Sequence, residues 1–178
     1  MENSSVTILG GGNTAFAVAA NLTLQDVDVT LYEIPSFESS LEPILEMGVI
    51  NLLGVGEQGP ARIHRITTNI EEALDASDLI LLIVPAYAHS TFAEVCAPHL
   101  SPGKTVVAMP GTLCSLEWAQ ILRQAGTDGV TLAEVDTAPY VCRKTAPDTA
   151  TIWGIVTGLG LGVLPATDTE RVRNLLEP

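Results

Sequence analysis

The six residues GGGNTA, Gly10 to Ala15, restrict this chain more than any other segment. They lie between an apolar run, Val6 to Gly10, that reads as a strand, and Thr14 to Leu24, which reads as a helix. In that setting Gly10, Gly12 and Ala15 satisfy the pattern G-x-G-x-x-A. Gly10 permits a tight turn, Gly12 removes the side chain that would block a pyrophosphate, and Ala15 lets the helix pack against the strand. Asn13 and Thr14 stand at the start of that helix, where free N–H groups and the positive dipole end face an anion. Three glycines in a row also suit a merely flexible turn. The context favours a dinucleotide site, because the second strand, Val27 to Glu33, ends in an acid. That acid stands about 20 residues beyond the first glycine, the spacing at which a carboxylate meets the adenosine ribose hydroxyls. Glu33 is followed by Ile34, Pro35, Ser36 and Phe37, with no Arg or Lys to hold a ribose 2′-phosphate, so NAD is expected in preference to NADP. Neither Lys104 nor Lys144 follows a Walker-type phosphate loop.

The remainder alternates short apolar runs with helical patterns, which predicts an α/β fold with a doubly wound, mostly parallel sheet. Leu41 to Met47 reads as helical, and INLLG with ARIHRITTN as a two-stranded excursion. A short helix over Glu71 to Ala76 leads into LILLIV, Leu79 to Val84, a run apolar enough for burial on both faces. A helix over Ser90 to Ala97, a strand over Thr105 to Met109, a helix over Leu116 to Gln124 and a strand over Val130 to Val135 follow. Strand-like segments near Val141, Ile152 to Val156 and Leu159 to Val163 precede a last helix, Thr169 to Leu176.

At 178 residues the chain suits one sizeable domain. Eight Lys and Arg against 21 Asp and Glu leave a net charge of −13, which repels phosphate backbones and anionic lipid heads, so neither a nucleic acid nor a membrane is an expected partner. Cys96, Cys114 and Cys142 have no paired spacing, and the start of the chain lacks a basic region with an apolar core; a reducing cytoplasm fits. The mean hydropathy of +0.33 is high. Its extreme is the uncharged run Thr149 to Thr167, whose glycines, Pro165 and β-branched residues read as strands and turns better than as a span. An apolar face of this kind suits contact with another domain or a second copy in a homodimer.

Two further clusters stand where predicted strands end, the edge at which a doubly wound sheet binds ligands. In VPAYAHS, Val84, Pro85 and Ala86 shape a turn with room for a nicotinamide ring. His89 suggests acid/base chemistry, although capping, cofactor contact or packing is the stronger reading. MPGT, with Pro110, ends the next strand in the same manner. In AEVDTAPYVCR, Glu134 suits a substrate ammonium and Arg143 a substrate carboxylate; an ordinary ion pair between them is an equal alternative. His64 and His99 read as surface residues, and no metal-ligand set or Ser-His-Asp order stands out.

GGGNTAFAVAANL, VTLYE, DLILLIVPAYAHSTFAEVCAPHLSPGKTVVAMPGT and LAEVDTAPYVCR, in this order, resemble the opine dehydrogenases of the octopine/nopaline group, within the wider 6-phosphogluconate-dehydrogenase-like set. The resemblance implies a Rossmann domain over residues 1–165 and, over 166–178, the start of a helical connection to a substrate domain. It further implies NAD(P)H-driven reductive joining of an amino acid to a 2-oxo acid. Gly10, Gly12 and Ala15 would take the pyrophosphate turn, Glu33 the ribose, Val84 to Ala86 the nicotinamide side, and Glu134 the amino substrate. The family places its acid/base histidine in the helical domain, and none of His64, His89 or His99 matches it, so the chain is expected to bind a dinucleotide and turn over little by itself. Thr14 stands where the family often has glycine. Two other readings stay open: a reductase like ketopantoate reductase or glycerol-phosphate dehydrogenase on the same scaffold, and a non-catalytic nucleotide-binding or docking subunit.

Overall fold

The structure, a computed structural model, describes residues 4–177; residues 1–3 and 178 of the expected domain spans lie outside it. The apolar runs become the strands of two sheets. In chain order these are β1 (Ser5–Leu9), β2 (Asp28–Tyr32), β3 (Val49–Gly54), β4 (Gly59–Arg62), β5 (Arg65–Thr67), β6 (Leu79–Leu82), β7 (Thr105–Ala108), β8 (Thr131–Val135), β9 (Tyr140–Ala146), β10 (Thr149–Ile155) and β11 (Leu161–Leu164). The helices are α1 (Asn13–Leu24), α2 (Glu42–Leu45), α3 (Ile70–Asp75), α4 (His89–Cys96), α5 (Cys114–Ala125) and α6 (Thr169–Leu176).

The main sheet has the order β11-β8-β7-β6-β1-β2-β5. All neighbours are parallel except β11, which runs antiparallel to β8. Strand order reverses between β1 and β6, so a crevice opens outside their carboxyl ends. The inner strands explain their own composition: β7 is buried at every position and β6 at all but its first, because helices cover both faces. On one face Phe92, Trp118, Leu74 and Leu122 from α3, α4 and α5 form a core with Leu82 and Val106.

The other face carries α1, and a second sheet of order β4-β3-β10-β9 lies beyond it. Every residue of α1 from Ala15 to Asn21 is buried. The helix is apolar all round because it has a sheet on each side. Phe16 and Val18 contribute roughly 1.5–3 kcal/mol each by leaving water. Ile50, Leu52, Ala61, Ala150 and Ile152 meet α1 from the second sheet, and all are inaccessible to solvent.

Several sequence expectations change here. The excursion is a four-stranded sheet, since β9 and β10 join β3 and β4; and ARIHRITTN splits, Gly59–Arg62 pairing with β3 while Arg65–Thr67 joins the main sheet beside β2. The split leaves His64 between two strands, exposed and beside Asp28, whereas His99 is half-buried against Glu71. Pro35–Ser40 forms a 3₁₀ turn, leaving only Glu42–Leu45 α-helical in that region. The apolar stretch from Ile152 to Leu164 is not one face. Ile152 is buried against α1 and Leu161–Leu164 pairs with β8, while Trp153 and Ile155 face outward. Among the described residues no helix is long and apolar enough to cross a membrane. Helix α6 is tied to the main sheet: Arg171 donates to Thr105 Oγ1 at 3.0 Å and to Thr131 Oγ1 at 2.7 Å, and Val172 is buried.

Candidate dinucleotide-binding site

The carboxyl ends of β1, β2, β6, β7 and β8 bring the glycine turn, Glu33, Val84–Ala86, Met109–Thr112 and Glu134 to one edge of the sheet. Gly10 has φ +119°, a conformation that L side chains rarely adopt, and a Cβ there would collide with the Ile83 carbonyl and come within 2.8 Å of Val84 Cγ1. The turn therefore needs glycine to pass the end of β6. Gly12 is different. Its backbone is extended, and a Cβ would meet nothing within 4 Å. It caps α1 without any side-chain hydrogen bond, so the first N–H groups of a buried twelve-residue helix open onto empty space. Open space at an uncapped helix N-terminus, reached over a residue without a side chain, fits a pyrophosphate. Ala15 is inaccessible to solvent, in keeping with close helix–strand packing.

Asn13 and Thr14 face the second sheet. Asn13 Oδ1 accepts from the Lys144 N–H at 2.8 Å, and Cys142 Sγ lies 3.8 Å from both Asn13 O and Thr14 Oγ1. Their side chains hold β9 across the start of α1 and leave the backbone donors to a ligand.

Glu33 is 7% exposed; Oε2 accepts from Gly11 N at 2.7 Å and Oε1 from Ile34 N at 2.9 Å. Burial pushes its carboxyl above the usual carboxylate range, while the two N–H groups and Lys144 pull it back. That lysine is a residue which sequence reasoning missed. It arrives from β9, in another sheet, and only the absence of a nearby basic residue in sequence was read. Lys144 Nζ lies 3.3 Å from the centre of the Phe16 ring and donates to Ser40 O at 3.2 Å.

At the other half of the crevice, Pro85 sets the extended entry to a 3₁₀ turn, Ala86–Ala88. His89 is 2% exposed, and Trp118 Nε1 donates to its carbonyl at 3.1 Å. Burial lowers the imidazole pKa, which favours the neutral form at neutral pH, and among the described residues its Nε2 has no partner. The side chain is packed within the fold, in line with the blander sequence reading. Pro110 enters a loop in which Thr112 and Leu113 have positive φ. Glu134 accepts from Ser115 Oγ at 3.2 Å and Ser115 N at 3.5 Å, placing its charge at the N-terminus of α5. Arg143 lies on β9 between Cys142 and Lys144, which both face α1; it is exposed, and among the described residues its side chain bonds only the Cys142 carbonyl, at 3.5 Å. Among the described residues Glu134 and Arg143 form no ion pair.

A model of the family described as NADP oxidoreductase, coenzyme F420-dependent, matches residues 5–110. The opine dehydrogenase of Arthrobacter sp. (strain 1C) is 32% identical over 167 residues, which are 93% of this chain and 46% of that protein. An octopine dehydrogenase solved with NADH and L-arginine matches with a TM-score of 0.80 at 20% identity, over 90% of this chain and 42% of that one. A yersinopine dehydrogenase solved with NADP+ gives 0.72 at 18% identity, over 98% and 45%. These two likenesses show the fold. The chain spans less than half the length of each of these three proteins. With the glycine turn, the strand order and the sequence match in agreement, the chain belongs to the family described as coenzyme F420-dependent NADP oxidoreductases and is an opine-dehydrogenase-like NAD(P)-binding Rossmann domain.

Proposed function

We propose that this domain serves an oxidoreductase that joins an amino acid to a 2-oxo acid reductively, and that it prefers NADH to NADPH. The carrying observation is the open N-terminus of α1 at Gly12, with the Glu33 carboxylate beside Gly11 at the switch point of the sheet. When bound, the nicotinamide supplies the hydride. The chain's own residues bind and orient. Gly12, Asn13, Thr14 and Ala15 offer backbone donors to the pyrophosphate, and Glu33 accepts from the adenosine ribose. Val84, Pro85, Ala86 and Pro110 line the nicotinamide side, with His89 packed behind the turn. Glu134 is the acid placed to receive a substrate amino group, and the exposed Arg143 has no part in the proposal.

His89 is buried and neutral, and His64 and His99 face Asp28 and Glu71. We therefore expect these 178 residues by themselves to bind the dinucleotide without turnover. The apolar surface that a second copy would cover is the outer side of the second sheet: Leu53, Val141, Trp153 and Ile155. Calorimetric titration with NADH and then NADPH, with light scattering on the same sample, tests the reading. Saturable binding that is tighter for NADH supports it. A folded chain that binds neither dinucleotide overturns it, equal affinities overturn the preference, and a monomer overturns the dimer. Oxidation of NADH on adding pyruvate and amino acids would show that the domain is active alone.

A further inference from the structure

The second sheet reaches the dinucleotide site at one point. On β9, Cys142 and Lys144 face α1, and the Lys144 N–H is fixed by Asn13 Oδ1 at the first residue of that helix. The side chain then runs across Phe16 and ends on Ser40 O, the last residue of the 3₁₀ turn that follows β2. Ser40 in turn presses on the glycine turn: a Cβ on Gly11 would collide with Ser40 Oγ and stand 3.1 Å from Glu33 Oε2. Among the described residues Ser40 Oγ is buried without a partner, and the turn is tied to β9 through the Ser40 carbonyl and Lys144.

We propose that Lys144 is a positioning residue for the adenosine-ribose half of the site, supplying the counter-charge for Glu33 and closing the Pro35–Ser40 turn over Gly11. The inference rests on the dinucleotide reading above. Glu33 sits in a place that disfavours its charge, and the charged groups acting on it or on its neighbours are few. Lys144 favours the carboxylate, and the Tyr32 phenol, itself pushed up to about 12, is the other titratable group coupled to it. Burial brings the Lys144 ammonium down to about 8, with Glu33 opposing that fall, so the ammonium remains largely charged near neutrality. A ribose hydroxyl donates to a carboxylate more strongly than to a carboxylic acid. Lys144 thereby acts on the ribose through Glu33 without touching it.

The test uses Lys144→Met, which keeps the stem over Phe16 and removes the charge, and Lys144→Gln, which keeps a donor for Ser40 O. Carbon-13 NMR follows the Glu33 carboxyl titration without ligand, and calorimetry follows NADH affinity against pH. In both variants the Glu33 midpoint is expected to rise. NADH affinity is expected to fall about fivefold at neutral pH and further as pH drops, because the protonated fraction of Glu33 grows. Lys144→Arg is expected to restore both. An unchanged Glu33 midpoint with an unchanged pH profile of affinity overturns the inference, even if a variant melts at lower temperature. No saturable NADH binding by the unaltered chain overturns the reading beneath it, and the inference with it, whatever the titration shows.

Discussion

Two twelve-residue helices, α1 and α5, each follow a strand of the parallel sheet and start at the same edge, yet their N-termini are finished in opposite ways. Gly12 caps α1 with no side-chain bond and no neighbour where a Cβ would stand. Leu113 caps α5 in the left-handed region, and the Glu134 carboxylate from β8 already supplies the negative charge, through Ser115. A helix end offers its dipole and free donors wherever it occurs. It becomes an anion site only where the chain itself leaves the place open, so the pyrophosphate proposed above fits α1 and not α5.

The contrast is broken most sharply by Gly12→Val. A Cβ there meets nothing within 4 Å, so the variant is expected to melt with the parent while NADH affinity falls more than about a hundredfold, roughly 2.7 kcal/mol; parental affinity by calorimetry would remove the anion site from α1. Gly10→Ala acts on the other side of the same turn. Its Cβ has no room beside Ile83 and its φ is unsuited to alanine, so a stability loss of about 2 kcal/mol is expected in urea unfolding. Glu33→Gln keeps size and removes charge. NADH is expected to bind about tenfold more weakly, or 1.4 kcal/mol, with a much smaller change for NADPH; equal losses in the two titrations would end the ribose assignment. The smallest effect is expected from Glu134→Gln, which takes the anion from the start of α5: thermal melting should report about 0.5–1 kcal/mol less stability, with NADH affinity unaltered.

Much of this was legible in order along the chain. The strands and helices of the main sheet fall within a few residues of the runs and periodicities that predict them, and Thr169–Leu176 is helical as expected. The glycine turn was legible because each of its residues answers a local demand: a positive φ at Gly10, empty space at Gly12, close packing at Ala15. The second sheet was half legible. INLLG announced a strand, but nothing near it names β10 as its parallel neighbour, about a hundred residues away. One signal was available and went unread: the first helix is apolar on every side, and such a helix needs cover on every side. Lys144 was not legible at all. Its meaning depends on β9 crossing the start of α1, a contact with no local sequence pattern.

The sequence by itself determined the class of fold and pointed to the glycine turn and the acid Glu33 on which the proposed anion site rests, because turn geometry, helix capping and strand periodicity act over a few neighbouring residues. Only the tertiary structure decided which of two helix ends is free, that His89 is enclosed and neutral, and that Arg143 stands apart from Glu134. It also brought Lys144 to Phe16 and to Ser40, beside the glycine turn. Burial and electrostatic coupling depend on which distant segments share a space, and a pairing across a hundred residues is set by the packing of whole sheets on α1.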